Sequence, residues 1–450
     1  MKRGLFSAGE FQWAKVAHVR FLPGRLRALV TKRPDLRWLV VLTVCAIVLV
    51  TFAIRGDRDP FFLSKRLIAD FAQDYIGAKA LLSQEEEMYP VLGPAFERIG
   101  LKWKVEHRST HPPTTFLLAL PLAGVSYPVA LRIWAAAMTL CLVAAGRAFG
   151  LPWRWAILAA LLSLTWPPTR HSTQQYTAIW LLGLALGYRF RAQPFLSGVL
   201  GGFASLPKFL AASALLAHLR RRQWTALAGF AAVWLTAILA LVLVRPDSFA
   251  AYLEGNKINF MDQILRGDNG ALAVVAWRLA GGAGLAAVGA LAFLVTWAGL
   301  RSRDDRAWAS FTWLGIALLP IAWVYSLLPL LPWLLRVVLV GRVLPCAFGV
   351  MALLSPLFGP APTKRPWSVA LCIVMAGIAF FLQAIGENPA VADVVARRFP
   401  WLAPFVVTQG EQPQPEPRSH RRHGLPTARP HQDDRLWIGD SPAADPEDRV

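Results

Sequence analysis

The residues best suited to chemistry are concentrated between Arg55 and His111. This polar, acidic and aromatic stretch opens Arg-Gly-Asp-Arg-Asp-Pro and passes through Asp70-Phe71-Ala72-Gln73-Asp74-Tyr75. It closes with His111-Pro112-Pro113. Between Glu106 and Asp247 the chain has no Asp or Glu. A carboxylate needed in the first half of the fold therefore has to come from this stretch. Asp70 and Asp74 could take a proton from a hydroxyl. His107, Arg108 and His111, with Arg170, His171, Gln174, Gln175 and Lys208 further on, could hold an oxyanion such as a phosphate. A proton acceptor beside fixed cations suits transfer of a group from a lipid phosphate to a hydroxyl. A lipid phosphate leaves without strong protonation, so one carboxylate can serve where a glycosidase needs two.

Each of these residues also has a plainer reading. Asp70 could cap a helix, Asp74 could be solvated, Lys208 could snorkel to an interface, and Arg170-His171 could anchor a loop. Asp57-Arg58-Asp59 has the form of a metal-binding DxD, but beside a span end it reads better as a juxtamembrane turn. There is no Cys/His zinc spacing, P-loop or GxSxG. No cofactor is called for, although a divalent metal stays compatible with the sequence.

The elements that must position these groups are membrane spans. The chain of 450 residues is 55% hydrophobic and only 16% charged, with a mean hydropathy of +0.43. Soluble domains are about 25% charged. Apolar runs of roughly 20 residues, the length that crosses a bilayer, recur throughout. The net charge of +20 does not indicate nucleic acid, because Lys and Arg cluster at the ends of the apolar runs, where they set topology. The four cysteines fall inside apolar segments and read as buried thiols.

An all-α integral membrane bundle of about 12 spans follows. Residues 1–37 form a cytoplasmic basic arm, and 38–54 an uncleaved first span leading to a large external loop, 55–113. Within that loop, 67–82 reads as a helix, with Leu67, Phe71, Tyr75, Ala78 and Leu82 on one stripe suited to an interface or to the bundle. Residues 114–124 are too short to cross and read as re-entrant. Segments 129–149, 153–166 and 177–188 alternate across the bilayer. Segment 195–219 has arginines at both ends, which places both ends in the cytoplasm and requires a hairpin turning at Ser205-Leu206-Pro207-Lys208. Each arm has about 12 residues, roughly 18 Å of helix, against a core of roughly 30 Å. Lys208 then lies at membrane depth at a helix break, a place tolerated beside a polar cavity. Residues 224–244 cross outward and 245–270 form a second external loop. Residues 271–300 return to a cytoplasmic Arg301–Arg306 cluster. Segments 308–323, 327–340, 344–357 and 367–385 complete a membrane domain spanning 38–385. Residues 386–450 form a tail, disordered from about 409 on composition.

At these residues the chain resembles glycosyltransferase family 87, membrane enzymes of the GT-C class that use polyprenyl-phosphate sugars. Asp70-Phe71-x-x-Asp74-Tyr75 with Ala78, Leu81-Leu82 and Met88-Tyr89-Pro90 is similar to the family's first-loop signature. His111-Pro112-Pro113 with Pro121-Leu122 and Trp134 is similar to its "PP…PL…W" element. Gln175 sits at its "GQ.N" site, Leu206-Pro207-Lys208 at its "KP" hairpin, and Pro320-Ile321-Ala322-Trp323 with Tyr325 at its "PISW…Y" element. The match departs from the pattern at Gln174, at Thr177 and in the order Pro207-Lys208.

The resemblance implies a GT-C type glycosyltransferase, a hexosyltransferase of mannosyltransferase type that inverts the anomeric carbon. Its partners would be a polyprenyl-phosphate sugar donor, a glycolipid or glycan acceptor and the lipid bilayer, with no nucleic acid. Asp70 would be the base and Asp74 its reserve. Lys208, Arg170, His171 and His111 would bind the donor phosphate, and Tyr75, Gln175 and Asn269 the substrates. The expected location is the bacterial inner membrane, with the active site on the periplasmic face. A transporter or flippase of lipid-linked sugars is the alternative, since broken intramembrane helices also suit carriage.

Overall fold

The computed structural model describes residues 69–386, apart from residues 84, 103–104, 155, 158–159, 161–175, 268, 323, 341–342 and 358–365, together with residues 397–398. The basic arm, the first span, the tail from 409 and the residues Arg170, His171, Gln174 and Gln175 lie outside the described residues.

Among the described residues every regular element is helical, and the one extended pairing is an antiparallel bridge between Val91 and Arg108. The elements that frame the site come first. They are α1 (Ala69–Leu82), α2 (Leu92–Arg98), α3 (Pro113–Ala119, continued by a 3-10 turn Leu120–Leu122) and α4 (Tyr127–Ala148). Then come α5 (Thr177–Arg189), α6 (Pro194–Ser205), a 3-10 stretch Phe209–Ala214, α7 (Leu215–Leu219) and α8 (Trp224–Val244). The rest is α9 (Ser248–Leu265), α10 (Leu272–Arg301), α11 (Asp304–Ala317), a 3-10 stretch Val324–Leu330, α12 (Leu331–Val340), α13 (Val343–Leu354) and α14 (Pro366–Gly386).

Four of these, α4, α8, α10 and α14, are long and apolar enough to cross a membrane. About 12 spans were expected; the described residues otherwise hold shorter apolar helices, such as α6 and α13. The spans face two solvents. On α8, Leu235, Leu239 and Leu243 recur at i, i+4 and are exposed, while Ala237 and Leu241 are buried. An exposed leucine stripe of this kind suits hydrocarbon. The long helix α10 is interrupted at Gly281, whose φ of +54° is a conformation glycine adopts without the Cβ penalty.

Segment 194–219 is a hairpin and not one straight span. Its arms meet where Ser197 Oγ and His218 Nε2 are hydrogen-bonded at 2.7 Å. Its two ends converge on Asp304, which pairs with Arg220 at 2.6 Å, with Arg221, and with Arg191 at 4.0 Å. Small residues let α6 lie against α8 backbone to backbone. A Cβ added at Gly198 would sit 1.9 Å from the Ala226 carbonyl, and one at Gly229 would sit 2.2 Å from that of Phe195.

One expectation changes and another is narrowed. The second external loop, 245–270, is mostly the helix α9, whose Asn, Asp and Gln content hid its helical run from an apolar-period reading. Of the two settings expected for helix α1, interface or bundle, it takes the bundle. From Phe71 to Leu81 every residue but Lys79 is buried, because α2, α3 and α4 enclose it.

Candidate active site

Helix α1 presents Asp70 and Asp74 one turn apart. The adjacent side, about 100° round the helix, is fixed by aromatic packing. Phe71 stacks on Trp134 of α4, with ring centroids 4.9 Å apart, and Tyr75 meets Tyr127 edge-on at 5.3 Å. The Tyr75 hydroxyl donates to the Val125 carbonyl at 2.7 Å. Gly77 continues the stripe of Asp70 and Asp74 at helical spacing. A Cβ there would come within 2.6 Å of the Phe116 ring, so glycine is what lets α3 pack against α1. That contact brings His111, two residues before α3, onto Asp74.

His111 Nδ1 and Asp74 Oδ1 are 2.6 Å apart and both side chains are buried, with Asp74 fully enclosed. The second Asp74 oxygen, Oδ2, has no hydrogen-bond partner. The His111 backbone is held as well: its N–H donates to Ser109 Oγ at 3.2 Å, and its carbonyl accepts from the Tyr89 hydroxyl at 3.0 Å. The Tyr176 ring closes over the imidazole edge-on at 5.4 Å. Burial pushes the Asp74 carboxyl above the ordinary carboxylate range, while the neighbouring His111 pulls the other way.

Lys208 is the third member. It follows the break at the end of α6 in extended conformation, with φ −157° and ψ 144°. A break at membrane depth frees backbone carbonyls, which have to find donors inside the protein. Thr114 Oγ1 donates to the Leu206 carbonyl at 2.6 Å and Thr115 Oγ1 to that of Pro207 at 3.2 Å. The first turn of α3 thus fastens the break to the helix that follows His111. On the other side, Trp234 Nε1 donates to Ser205 Oγ at 2.8 Å. The Lys208 ammonium lies over the rings of Tyr176 (5.8 Å) and Trp180 (6.0 Å) and feels the charges of Asp70 and Asp74. None of the ion pairs formed among the described residues involves Lys208.

Asp70 differs from Asp74 in access. It is half-buried, and Gln73 Nε2 stands 3.5 Å from its Oδ1, the outer limit of a hydrogen bond. A half-buried carboxylate at one end of the row, an enclosed carboxylate–imidazole pair and an ammonium without an ion-pair partner among the described residues therefore share one site.

Two residues expected at the substrate take internal positions instead. Asn269 is fully buried and its amide is saturated. Nδ2 donates to the Ile264 and Pro320 carbonyls, both at 3.0 Å, and Oδ1 accepts from the Ala271 and Ala322 N–H groups at 3.0 and 3.1 Å. An amide offers two donors and two acceptor lone pairs, so none is left for a ligand. Tyr75 spends its hydroxyl on Val125. Tyr176, Trp180, Thr114 and Thr115 belong to the site although their spacing does not single them out. Their signal is adjacency alone, since Tyr176 follows Gln175 and the two threonines follow Pro113.

The sequence model of glycosyltransferase family 87 matches residues 110–326. Over these residues, just under half of the chain, it is similar to glycosyltransferase family 87. The match, together with the four helices long and apolar enough to cross a membrane, indicates a membrane glycosyltransferase. Neither a curated protein nor a solved structure matches the chain. The matched stretch contains His111, Lys208 and Asn269, whereas Asp70 and Asp74 precede it. The two carboxylates are tied to the family segment by the Asp74–His111 contact and by the charge of Lys208.

Proposed function

We propose that the protein moves mannose or another hexose from a polyprenyl-phosphate donor to a hydroxyl of a glycolipid or glycan on the non-cytoplasmic face of the bacterial inner membrane. Asp70 removes the proton of the acceptor hydroxyl. The oxygen attacks the anomeric carbon from the side opposite the phosphate, the carbon–oxygen bond to the phosphate breaks, and the configuration inverts. The polyprenyl phosphate leaves with its charge held by Lys208 and His111, joined by Arg170 and His171, while Gln175 contacts substrate. Fixed cations aimed at a leaving group are worth more in a water-poor site than in water.

The observation that carries this reading is Lys208. It is an ammonium at a helix break, faced by two aromatic rings, with no carboxylate in ion-pair contact among the described residues, next to two aspartates. An intramembrane ionisable residue is costly and is kept where it acts.

The test is transfer of labelled sugar by the purified full-length protein, offered a panel of polyprenyl-phosphate sugars and a glycolipid acceptor. Product from one or more donors is expected. Lys208→Met is expected to raise the donor KM by about 10-fold or more, or to abolish turnover, on the scale of a lost charge-assisted contact of about 1.5–3 kcal/mol. No transfer from any polyprenyl-phosphate donor would refute the donor class. An unchanged donor dependence in Lys208→Met would return Lys208 to a packing role.

A further inference from the structure

Asp74 and His111 are one turn and one loop removed from the proposed base, and their geometry assigns them a task distinct from proton removal. Asp74 is enclosed on every side, with one carboxylate oxygen spent on His111 Nδ1 at 2.6 Å. Asp74 is the less accessible of the two carboxylates, since Asp70 is half-buried. What Asp74 can do is hold the imidazole. With Nδ1 engaged, Nε2 is the ring nitrogen left for a ligand, and the ring cannot turn over without breaking the contact. The His111 N–H on Ser109 Oγ, the Tyr89 hydroxyl on the His111 carbonyl and the Tyr176 ring at 5.4 Å fix backbone and ring together.

The second ring contact of Tyr176 links this pair to the cation. The same ring lies 5.8 Å from the Lys208 ammonium. The titratable groups whose charges bear on Asp74 are His111, Asp70 and Lys208. Two cationic or hydrogen-bonding groups, the imidazole and the ammonium, thus contact one tyrosine ring, with the enclosed carboxylate bound to the imidazole. A carboxylate behind a histidine orients it and sets its tautomer, an arrangement whose loss costs roughly 10–100-fold where it supports a ligand.

We infer that Asp74 is a positioning residue, which through Nδ1 of His111 presents Nε2 to the phosphate of a polyprenyl phosphate, with Lys208 against the same Tyr176 ring. This rests on the glycosyltransferase reading above and adds to it the role of Asp74 and the atom of His111 that meets the phosphate. It removes Asp74 from the candidates for the base.

The test measures binding of a polyprenyl phosphate without sugar to the full-length protein in detergent, by the ligand-induced rise in unfolding temperature. Donor and acceptor KM values are measured alongside. Asp74→Asn and His111→Gln are each expected to weaken polyprenyl-phosphate binding and raise the donor KM by about 10-fold or more, leaving the acceptor KM within about twofold. The double variant is expected to be no worse than the more severe single one, because two residues acting as one unit are non-additive. A purely structural role would lower the unfolding temperature without splitting donor from acceptor.

Wild-type affinity in Asp74→Asn, or full additivity in the double variant, overturns the inference while wild-type transfer keeps the glycosyltransferase reading intact. If Asp74→Asn does not fold, His111→Gln decides alone, and unchanged phosphate binding there is equally fatal. Wild-type protein that binds no polyprenyl phosphate and transfers no sugar removes both this inference and the reading on which it rests.

Discussion

Asp70 and Asp74 are the same residue type one helical turn apart, and their surroundings divide the work between them. Asp74 is sealed against His111; Asp70 is half-buried. Asp70→Asn, nearly isosteric and unable to take the proton, is therefore expected to keep donor binding and lose about 10²-fold or more in turnover, the scale of a lost general base. Steady-state transfer with separate donor and acceptor titrations checks it, and near-normal turnover would move the base elsewhere. Asn269 belongs to the same scale with the opposite expectation. Asn269→Ala leaves two buried N–H groups and two carbonyls without partners. At about 1–3 kcal/mol for each unsatisfied buried group, the loss is expected to reach about 3 kcal/mol or more. It would be read as a drop in the denaturation midpoint in detergent, and a midpoint equal to wild type would show that water replaces the amide.

The hairpin is the element on which the site depends. Its turn ends in Lys208, its freed carbonyls are held by Thr114 and Thr115, and its first arm, α6, lies on α8 through Gly198, Gly202 and Gly229. Its ends are gathered by Asp304. Arg191→Cys and Arg221→Cys are therefore expected to react with a membrane-impermeant thiol reagent from the same side, the cytoplasmic one by the clustering of positive charge. The check is labelling of inverted against right-side-out vesicles, in a background where the native cysteines give no signal. Opposite sidedness for the two positions would be incompatible with the hairpin. At Gly198, substitution by Ala is expected to cost on the order of 1–3 kcal/mol through overpacking, since the Cβ would meet a backbone carbonyl that cannot swing aside.

At the scale of the whole molecule, one large hydrophobic core runs from α1 through α14 and takes in both the site helices and the long spans. The described site is built inside that core, so losing it would cost the bundle as well as the activity. Residues 409–450 are different in composition, rich in Pro, Arg, His, Asp and Gln and sparse in apolar side chains. Such a segment buries too little to offset its ordering entropy. Truncation after Val407 is expected to leave the unfolding temperature of the detergent-solubilised protein nearly unchanged; a large drop would mean that the tail packs on the membrane domain.

The sequence alone determined the membrane class, the helical architecture, the hairpin and the place of α1, and it named candidate charged groups for the site. These rest on local signals: apolar runs of span length, arginines at their ends, and a gap in acidic residues that left the first loop as the source of a carboxylate. It also carried the likeness to glycosyltransferase family 87, matched over residues 110–326. It ranked Asp70 ahead of Asp74 but did not show that Asp74 is enclosed, because a spacing of four puts both on one face whatever covers that face. It placed Asn269 at the substrate and missed α9, because polar residues along a helix read like polar residues in a loop. Those points were decided by tertiary packing. Gly77 admits Phe116, α3 carries His111 onto Asp74, and Thr114 and Thr115 hold the break that bears Lys208, which are contacts between residues up to 92 positions apart. Burial and hydrogen-bond saturation depend on what the rest of the chain brings alongside, and a residue's own neighbours in sequence do not carry that information.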